Sequence, residues 1–183
     1  MIQAKVEIFP LAQVFRISRG ARTQAEVVSV EINRNHFTGH GECVPYARYN
    51  ETLGSVIQQI ESLPADIDRE TLQTMLPAGA ARNAVDCALW DLESKTLNQP
   101  IWQLAGMQMP KQALTAFTLS LDEPENMLKQ AKYNSNRPLL KIKLGTPNDM
   151  PRLEAVRLGA PNSEIIVDAN EGWNAEIYTK LAP

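Results

Sequence analysis

Lys141 and Lys143 lie two residues apart in the apolar segment PLLKIKLG. On a β-strand both side chains project from the same face, with Cα atoms about 6.6 Å apart. Neighbouring ammonium groups at a buried sheet disfavour each other's charged form through desolvation and like-charge repulsion, which moves a lysine towards the working range of a general base. Surface lysines on an edge strand would show the same spacing, and the residues alone leave these two interpretations even.

A carboxylate, Asp168, ends the next apolar segment, IIVDAN. Carboxylates at the carboxyl ends of parallel strands point to the face where α/β active sites lie, and their oxygens are ligands that Mg²⁺ prefers. One aspartate cannot make a metal site alone. Taken by itself, Asp168 is better explained as the N-cap of the following helix.

The composition excludes several classes of protein. The 183 residues carry 18 Lys and Arg against 21 Asp and Glu, a formal charge of −3, which lacks the basic excess of a nucleic-acid-binding domain. Hydrophobic residues make up 44%, enough for a packed core. Cys43 and Cys87 are too few for a disulfide framework, which fits a reducing cytoplasm. The sequence shows neither a signal peptide nor an apolar run of the roughly 20 residues that a membrane helix needs. We therefore expect a cytoplasmic protein without nucleic-acid or membrane partners.

The first part of the chain reads as strands followed by helices. Alternation in AEVVSVEINR is typical of a half-buried strand, and residues 1–43 are predicted to be β. The segment RISRGART, which contains Arg22, reads as an exposed loop at a hairpin tip. From residue 52 to residue 97 the apolar spacing is helical, and an alanine-rich stripe over residues 81–92 requires close packing against a neighbour. These features predict an α+β unit.

Strands and helices alternate from Gln112 onward. Three βα units fit between residues 112 and 183, which is the pattern of a parallel sheet covered by helices. Three parallel strands cannot close, and a (β/α)₈ barrel needs eight units and roughly 250 residues. The segment is therefore either a small open α/β domain or part of a barrel. The last residues, YTKLAP, lie in a helix that has only begun, which favours the second. We expect the domain boundary between residues 111 and 112.

Several longer segments resemble one enzyme family. ARNAVDCALWDLESK, with KIK followed by VDAN on the next strand, resembles the mandelate racemase/muconate lactonizing enzyme branch of the enolase superfamily. RGART, GECVPYARYNET, LPAGAARNAVDCALWDL and TAFTLSL are similar to its L-Ala-D/L-Glu dipeptide epimerases. Ser94 departs from the Gly or Ala usual in the helical signature. The resemblance implies an α+β capping domain over residues 1–111. It also implies that residues 112–183 are the first three βα units of a (β/α)₈ TIM-type barrel, which would be incomplete.

The resemblance assigns roles to the three charged residues. Lys143 corresponds to the base that removes the substrate α-proton, and Lys141 to the neighbouring lysine that helps neutralise the substrate carboxylate. Asp168 corresponds to the first of three carboxylate ligands of Mg²⁺, which stabilises the enediolate formed when the proton leaves. The implied reaction is Mg²⁺-dependent epimerisation of dipeptides of the L-Ala-D/L-Glu type.

The resemblance also implies the substrate-binding residues. Arg22, in RGART, corresponds to an arginine that binds the acidic side chain of the dipeptide, and a guanidinium fork suits a carboxylate. Tyr49 and Glu51 fall in the second active-site loop of the capping domain, and Thr118 ends the first barrel strand. The expected partners are a small dipeptide and further copies of the chain in a homo-oligomer.

Parts of the family's machinery have no counterpart among these residues. In the family, the second base comes from the sixth barrel strand, and the other two metal ligands come from the fourth and fifth. We therefore expect the 183-residue chain to be inactive by itself and its last strand to present an unpaired edge. Asp86 and Asp91 are signature positions that we interpret as structural. Two alternatives stay open: another superfamily reaction (cycloisomerisation, dehydration or racemisation of another acid), and a catalytically dead interaction module.

Overall fold

The computed structural model describes residues 1–181 and consists of two units. The first unit comprises Met1–Phe9 and Gln24–Lys111. The second comprises Pro10–Thr23 and the chain from Gln112 onward. The tip of the first β-hairpin therefore belongs to the second unit.

Three strands open the chain and form one sheet in the order β1-β2-β3, with β2 and β3 antiparallel. They are β1 (Ile2–Ile17), β2 (Gly20–Arg34) and β3 (Phe37–Cys43). The predicted alternation in β2 is confirmed, since Val28, Val30 and Ile32 are buried and the residues between them are only partly so.

The predicted hairpin tip at RISRGART is confirmed, but it is not an extended loop, because both strands continue into it and leave only a tight turn between β1 and β2. Backbone hydrogen bonds hold this extended segment. The Arg16 N–H donates to Ser120 Oγ at 2.6 Å, and the Arg16 carbonyl accepts from the Leu121 N–H at 3.1 Å. Arg22 is exposed, as expected, but it lies on β2.

The first unit continues with a 3₁₀ turn (Ala47–Tyr49) and the helices α1 (Leu53–Glu61), α2 (Arg69–Met75), α3 (Ala80–Leu97) and α4 (Ile101–Leu104). A capping box begins α1, in which Thr52 and Ser55 each accept a hydrogen bond from the other's backbone N–H. Helix α2, short and mostly polar, falls within residues 52–97, the range predicted to be helical. Asp68 caps it by accepting from the Thr71 N–H at 2.7 Å.

Helix α3 packs directly on β3, as its alanine-rich stripe predicts. Ala84 and Ala88 are fully buried. A Cβ added at Gly41 of β3 would overlap the carbonyl oxygen of Ala84, so glycine lets the two backbones approach more closely than a side chain would allow. The core of the first unit includes apolar residues of the sheet and of α1, α2 and α3: Val28, Val30, Ile32, Val56, Ile60, Leu72, Val85 and Leu89.

The second unit contains a parallel sheet in the order β4-β5-β6. Its elements are β4 (Phe117–Leu119), α5 (Pro124–Tyr133), β5 (Leu139–Lys143), α6 (Met150–Gly159), β6 (Glu164–Asp168) and α7 (Ala175–Leu181). The predicted alternation of strands and helices is confirmed, although β4 has only three residues. The core of this unit joins the strands to α5 and α6 through Leu119, Met127, Leu140, Ile142 and Val156.

Strand β6 lies at one edge of the parallel sheet, and no other strand among the described residues pairs with its free side. Ile166 and Val167 on this strand are 42% and 40% exposed. The predicted continuation of α7 to Ala182 lies outside the described residues. No helix within residues 1–181 combines the length and apolar character needed to cross a membrane.

Candidate active site

Two rows of residues cross the parallel sheet next to each other. In one row, Thr118 of β4 pairs with Lys141 of β5, which pairs with Ile166 of β6. In the next row towards the carboxyl ends, Lys143 pairs with Asp168. Because residues two apart on a strand share a face, these side chains all project from one face of the sheet. The register therefore brings the three predicted charged residues together.

Asp168 contacts both lysines with the same oxygen. Its Oδ2 accepts a hydrogen bond from Lys143 Nζ at 2.8 Å and lies 2.9 Å from Lys141 Nζ. Its Oδ1 accepts from the Asn170 N–H at 2.9 Å. The hydrogen bonds from Lys143 and then Lys141 outweigh burial and hold the pKa of Asp168 well below its usual range. The ionised carboxylate offsets the like-charge repulsion expected between the lysines.

The two lysines differ in their exposure to water. The side chain of Lys143 is 9% exposed, whereas that of Lys141 is 33% exposed. The Lys143 Nζ also lies 5.9 Å from the ring centroid of Phe15, near the outer limit of a cation–π contact. Lys143 is therefore the more enclosed amine of the pair, and Lys141 is the more exposed to water.

Residues 10–23, here called the hairpin tip, contact the loop after β6. Ser18 Oγ donates to the Asn170 carbonyl at 3.1 Å, and Arg19 pairs with Glu171 at 3.0 Å. Asn170 and Glu171 have φ angles of 48° and 63°, a left-handed conformation that is uncommon outside glycine and often found at functional sites. The hairpin tip thus reaches the end of the sheet that carries Lys143 and Asp168.

The structure excludes the alternatives that the sequence left open for these three residues. Strand β5 is central in the sheet, so Lys141 and Lys143 are not on an edge strand. Asp168 does not cap α7, because Asn174 does so by accepting from the Ile177 N–H at 2.9 Å. The strand order thus settles the position of the two lysines, and the start of α7 settles which residue caps that helix.

The other predicted site residues lie in both units. Arg22 is exposed in the second unit, and Tyr49 is 71% exposed in the first. Both carboxylate oxygens of Glu51 are bound by backbone donors: Oε1 accepts from the Ala80 N–H at 2.6 Å and Oε2 from the Tyr46 N–H at 3.0 Å. Glu51 thus holds its own loop to the first turn of α3, where a helix leaves N–H groups without intrahelical partners.

Asp91 has the structural role inferred from its position in the helical signature. Its Oδ2 accepts from the His40 N–H at 2.8 Å and from Lys95 Nζ at 2.6 Å, which joins α3 to β3. Asp86 accepts a longer bond from Gln73 Nε2 at 3.4 Å, which joins α3 to α2. Both aspartates therefore fix the position of α3 within the first unit.

Asp168 is suited in kind to a divalent cation, since a carboxylate is a hard oxygen ligand. Both of its oxygens already accept hydrogen bonds. Within residues 1–181, no group of three or more His, Cys, Asp or Glu side chains is arranged to hold a metal ion.

Asp149 lies near the site but is not among the site residues predicted from the sequence. Asp149, between β5 and α6, is 1% exposed, and its carboxylate accepts from Trp173 Nε1 at 2.8 Å. Its signal in the sequence is the polar turn TPND, which directly follows the apolar strand KIKLG. That signal is indistinguishable from an ordinary helix cap.

Comparison with known proteins places this geometry in a family. Residues 2–106 match the family described as mandelate racemase / muconate lactonizing enzyme, N-terminal domain. The chain is 43% identical over 176 residues to the L-Ala-D/L-Glu epimerase of Escherichia coli (strain K12), a match that covers 93% of this chain and 55% of the relative.

Solved structures share the fold of the described residues. One is an enolase family member from Agrobacterium tumefaciens with homology to dipeptide epimerases, bound to sodium and L-Ala-L-Glu. Its match to this chain has a TM-score of 0.91 and 49% sequence identity, and covers 99% of this chain and 58% of the Agrobacterium chain. Another is the dipeptide epimerase of Enterococcus faecalis V583, complexed with Mg and L-Leu-L-Tyr. Its match to this chain has a TM-score of 0.86 and 27% sequence identity, and covers 98% of this chain and 56% of the Enterococcus chain. The chain spans little more than half the length of these relatives. It belongs to the mandelate racemase/muconate lactonizing enzyme branch of the enolase superfamily, whose N-terminal half it matches.

Proposed function

We propose that this chain carries the first base and the first metal ligand of a Mg²⁺-dependent epimerase for dipeptides of the L-Ala-D/L-Glu type. The observation that supports this most directly is the enclosed amine of Lys143, bonded at 2.8 Å to Asp168 at the carboxyl end of a parallel sheet. The dipeptide and Mg named for the relatives are consistent with it.

The proposed chemistry divides the work between the two lysines. An α-proton beside a carboxylate is very weakly acidic, so its removal is fast only where positive charge is already in place. Lys143, in its neutral form, accepts that proton at Nζ. Lys141, which is 33% exposed, holds a positive charge beside the substrate carboxylate. Mg²⁺, when bound, supplies further positive charge there, with Asp168 as the ligand that this chain contributes.

Substrate selection falls to residues outside the lysine pair. Arg22, exposed on β2, would bind the acidic side chain of the dipeptide through its guanidinium fork. Thr118, in register with Lys141, would line the substrate's path on the sheet. Tyr49 would contact substrate from the second loop of the first unit. Glu51 would act through that loop, because its carboxylate ties the loop to α3.

The remaining parts of the proposal concern the chain as a whole. Residues 1–111 would be the capping domain and residues 112–183 the first part of the barrel domain. The 183-residue chain by itself would be inactive, because a single carboxylate cannot hold Mg²⁺ for this reaction. The complete enzyme would be a homo-oligomer, and the two free cysteines, Cys43 and Cys87, suit a reducing cytoplasm.

The test is a chimera in which residues 1–181 replace the matching part of the Agrobacterium relative. Exchange of the substrate α-proton for deuterium is followed by NMR with L-Ala-L-Glu in D₂O and Mg²⁺. The expected result is exchange by the chimera and no exchange with the 183-residue chain alone. A folded chimera without exchange would overturn the proposed activity, and exchange by the chain alone would overturn the proposed inactivity.

A further inference from the structure

Asp149 is a buried carboxylate that binds three N–H groups with one oxygen. Its Oδ2 accepts from the backbone N–H groups of Gly145 and Thr146 at 2.7 Å and 2.8 Å. The same oxygen accepts from Trp173 Nε1 at 2.8 Å. Its Oδ1 accepts from Thr146 Oγ1 at 2.6 Å and lies 3.4 Å from Arg152 Nη1. Charge-assisted bonds of this kind are the stronger class of hydrogen bond in proteins.

Apart from the contact with Arg152, these bonds do not serve the helix that follows Asp149. The residue stands at the N-cap position of α6, yet its side chain makes no capping bond to that helix. Most of its hydrogen bonds go instead to Gly145 and Thr146 in the loop after β5 and to the Trp173 indole in the loop after β6. Asp149 therefore links the carboxyl ends of the two strands that carry Lys143 and Asp168.

The backbone makes the same connection at close range. A Cβ at Gly172 would overlap the backbone of Gly145, and Gly145 itself has a φ of 148°, where side chains are rarely accommodated. The Leu144 N–H donates to the Asp168 carbonyl at 3.1 Å. The loops after β5 and β6 are thus in direct contact, within two residues of Lys143.

Charge and burial agree with an ionised Asp149. Burial alone would raise the pKa of its carboxyl, but the bonds from the Thr146 hydroxyl, the two backbone N–H groups and the Trp173 indole lower it overall. A carboxylate that stays charged while 1% exposed would cost stability without hydrogen bonds. These bonds therefore favour the arrangement that keeps Gly145, Thr146 and Trp173 in contact with Asp149.

We propose that Asp149 is a positioning residue which, through its bonds to Gly145, Thr146 and Trp173, sets the contact between Lys143 and Asp168. This inference rests on the proposed function for its catalytic consequence. Asp149 is too deeply buried to touch substrate and acts by holding two strand ends in register. Small misplacements of a catalytic group cost as much as about a hundredfold in rate.

The first test needs no activity and uses the 183-residue chain. Indole N–H signals of Trp90, Trp102 and Trp173 are recorded by ¹H–¹⁵N NMR and assigned with Trp173→Phe. Asp149→Asn is expected to shift the Trp173 signal alone and to speed hydrogen exchange of the Lys143 ammonium group. Asp122→Asn, the same change at the start of α5, should do neither. Unchanged Trp173 and Lys143 signals in Asp149→Asn would overturn the inference.

The second test uses the active chimera. Asp149→Asn is expected to lower kcat for α-proton exchange about tenfold to a hundredfold and to leave KM nearly unchanged, since no substrate contact is lost. A purely structural role would lower the melting temperature and leave kcat per folded molecule intact, which would contradict the proposal. If Asp149→Asn does not fold, Trp173→Phe removes one of the bonds and should lower kcat severalfold. An unsubstituted chimera without exchange would refute the proposed function, while the NMR result would still decide the positioning role.

Discussion

Lys143 Nζ donates to Asp168 Oδ2 at 2.8 Å, and the two residues are register partners on neighbouring parallel strands. Lys141 Nζ lies 2.9 Å from the same oxygen. One carboxylate oxygen thus binds two ammonium groups, and the strand pairing that brings them together is the main determinant of the site. The Asp168→Asn substitution would remove the negative charge that both lysines share.

Asp168→Asn replaces the shared carboxylate with a neutral amide and leaves two lysines next to each other. We expect the free energy of unfolding of the 183-residue chain to fall by about 1–3 kcal/mol, the usual cost of leaving a partly buried polar group without its partner. Urea denaturation measures it. Glu164→Gln, at the exposed start of the same strand, is the matched control and should change stability little. Equal stability of both variants would show that the lysine contacts contribute nothing to the fold.

Gly41→Ala tests the close packing of α3 on β3. The added methyl group would overlap the carbonyl oxygen of Ala84, which is backbone and cannot rotate away. We expect a loss of about 1–3 kcal/mol in the free energy of unfolding, as for other overpacked sites. Gly54→Ala is the control: nothing lies within 4 Å of its added Cβ, and alanine is favoured over glycine in a helix such as α1. That variant should be as stable as the wild type or more so.

Asp91 makes the stability of the first unit depend on pH. Burial would raise the pKa of Asp91, but the bonds from Lys95 and from the His40 N–H lower it overall. Because the folded pKa lies below the unfolded value of about 3.9, ionised Asp91 stabilises the fold above roughly pH 4. That stabilisation is lost as the pH falls through the folded pKa.

The Asp91 prediction is measured by thermal unfolding between about pH 2 and pH 6. Asp91→Asn should flatten the acid side of the profile, and Lys95→Met should flatten it in part, because it removes the strongest favourable contact. An Asp91→Asn profile that keeps the wild-type slope would exclude this role.

Arg22 is expected to set the preference for an acidic side chain. In the chimera, Arg22→Ala should raise KM for L-Ala-L-Glu about tenfold or more, since a charge-assisted hydrogen bond contributes about 1.5–3 kcal/mol. KM for a neutral dipeptide should change little. Arg19→Ala is the matched control, because Arg19 lies on the same hairpin and pairs with Glu171. Equal effects of Arg22→Ala on acidic and neutral dipeptides would argue against the assignment.

The elements of the fold follow from the sequence wherever apolar spacing is regular. The alternation in β2, the alanine stripe of α3 and the three βα units all predict what is observed. Helix α2 falls within the range predicted to be helical, but a seven-residue, mostly polar helix has too short an apolar pattern to give its bounds. The sequence predicts the hairpin tip but not how far the strands run into it. The hydrogen bonds between Arg16 and both Ser120 and Leu121, about a hundred residues away, keep that segment extended.

The site is predictable as a set of residues but not as a geometry. Spacing alone places Lys141 and Lys143 on one face and Asp168 at the end of a strand. Only the register of β5 and β6 brings Asp168 next to both lysines, so that its Oδ2 contacts the two ammonium groups. The contacts of Glu51 and Asp149 cannot be predicted from the sequence either. Glu51 binds Ala80, 29 residues away, and Asp149 binds Trp173, 24 residues away. No local pattern carries information over such distances.

The measurement that most directly tests Lys143 as the base is deuterium exchange by the chimera with each epimer separately, L-Ala-L-Glu and L-Ala-D-Glu. If Lys143 serves one face of the substrate, Lys143→Met should slow exchange of one epimer by about 10²–10⁴ and leave exchange of the other detectable. Lys132→Met, an exposed lysine on α5, should slow neither. Wild-type exchange of both epimers by folded Lys143→Met protein would contradict the assignment of Lys143 as the base.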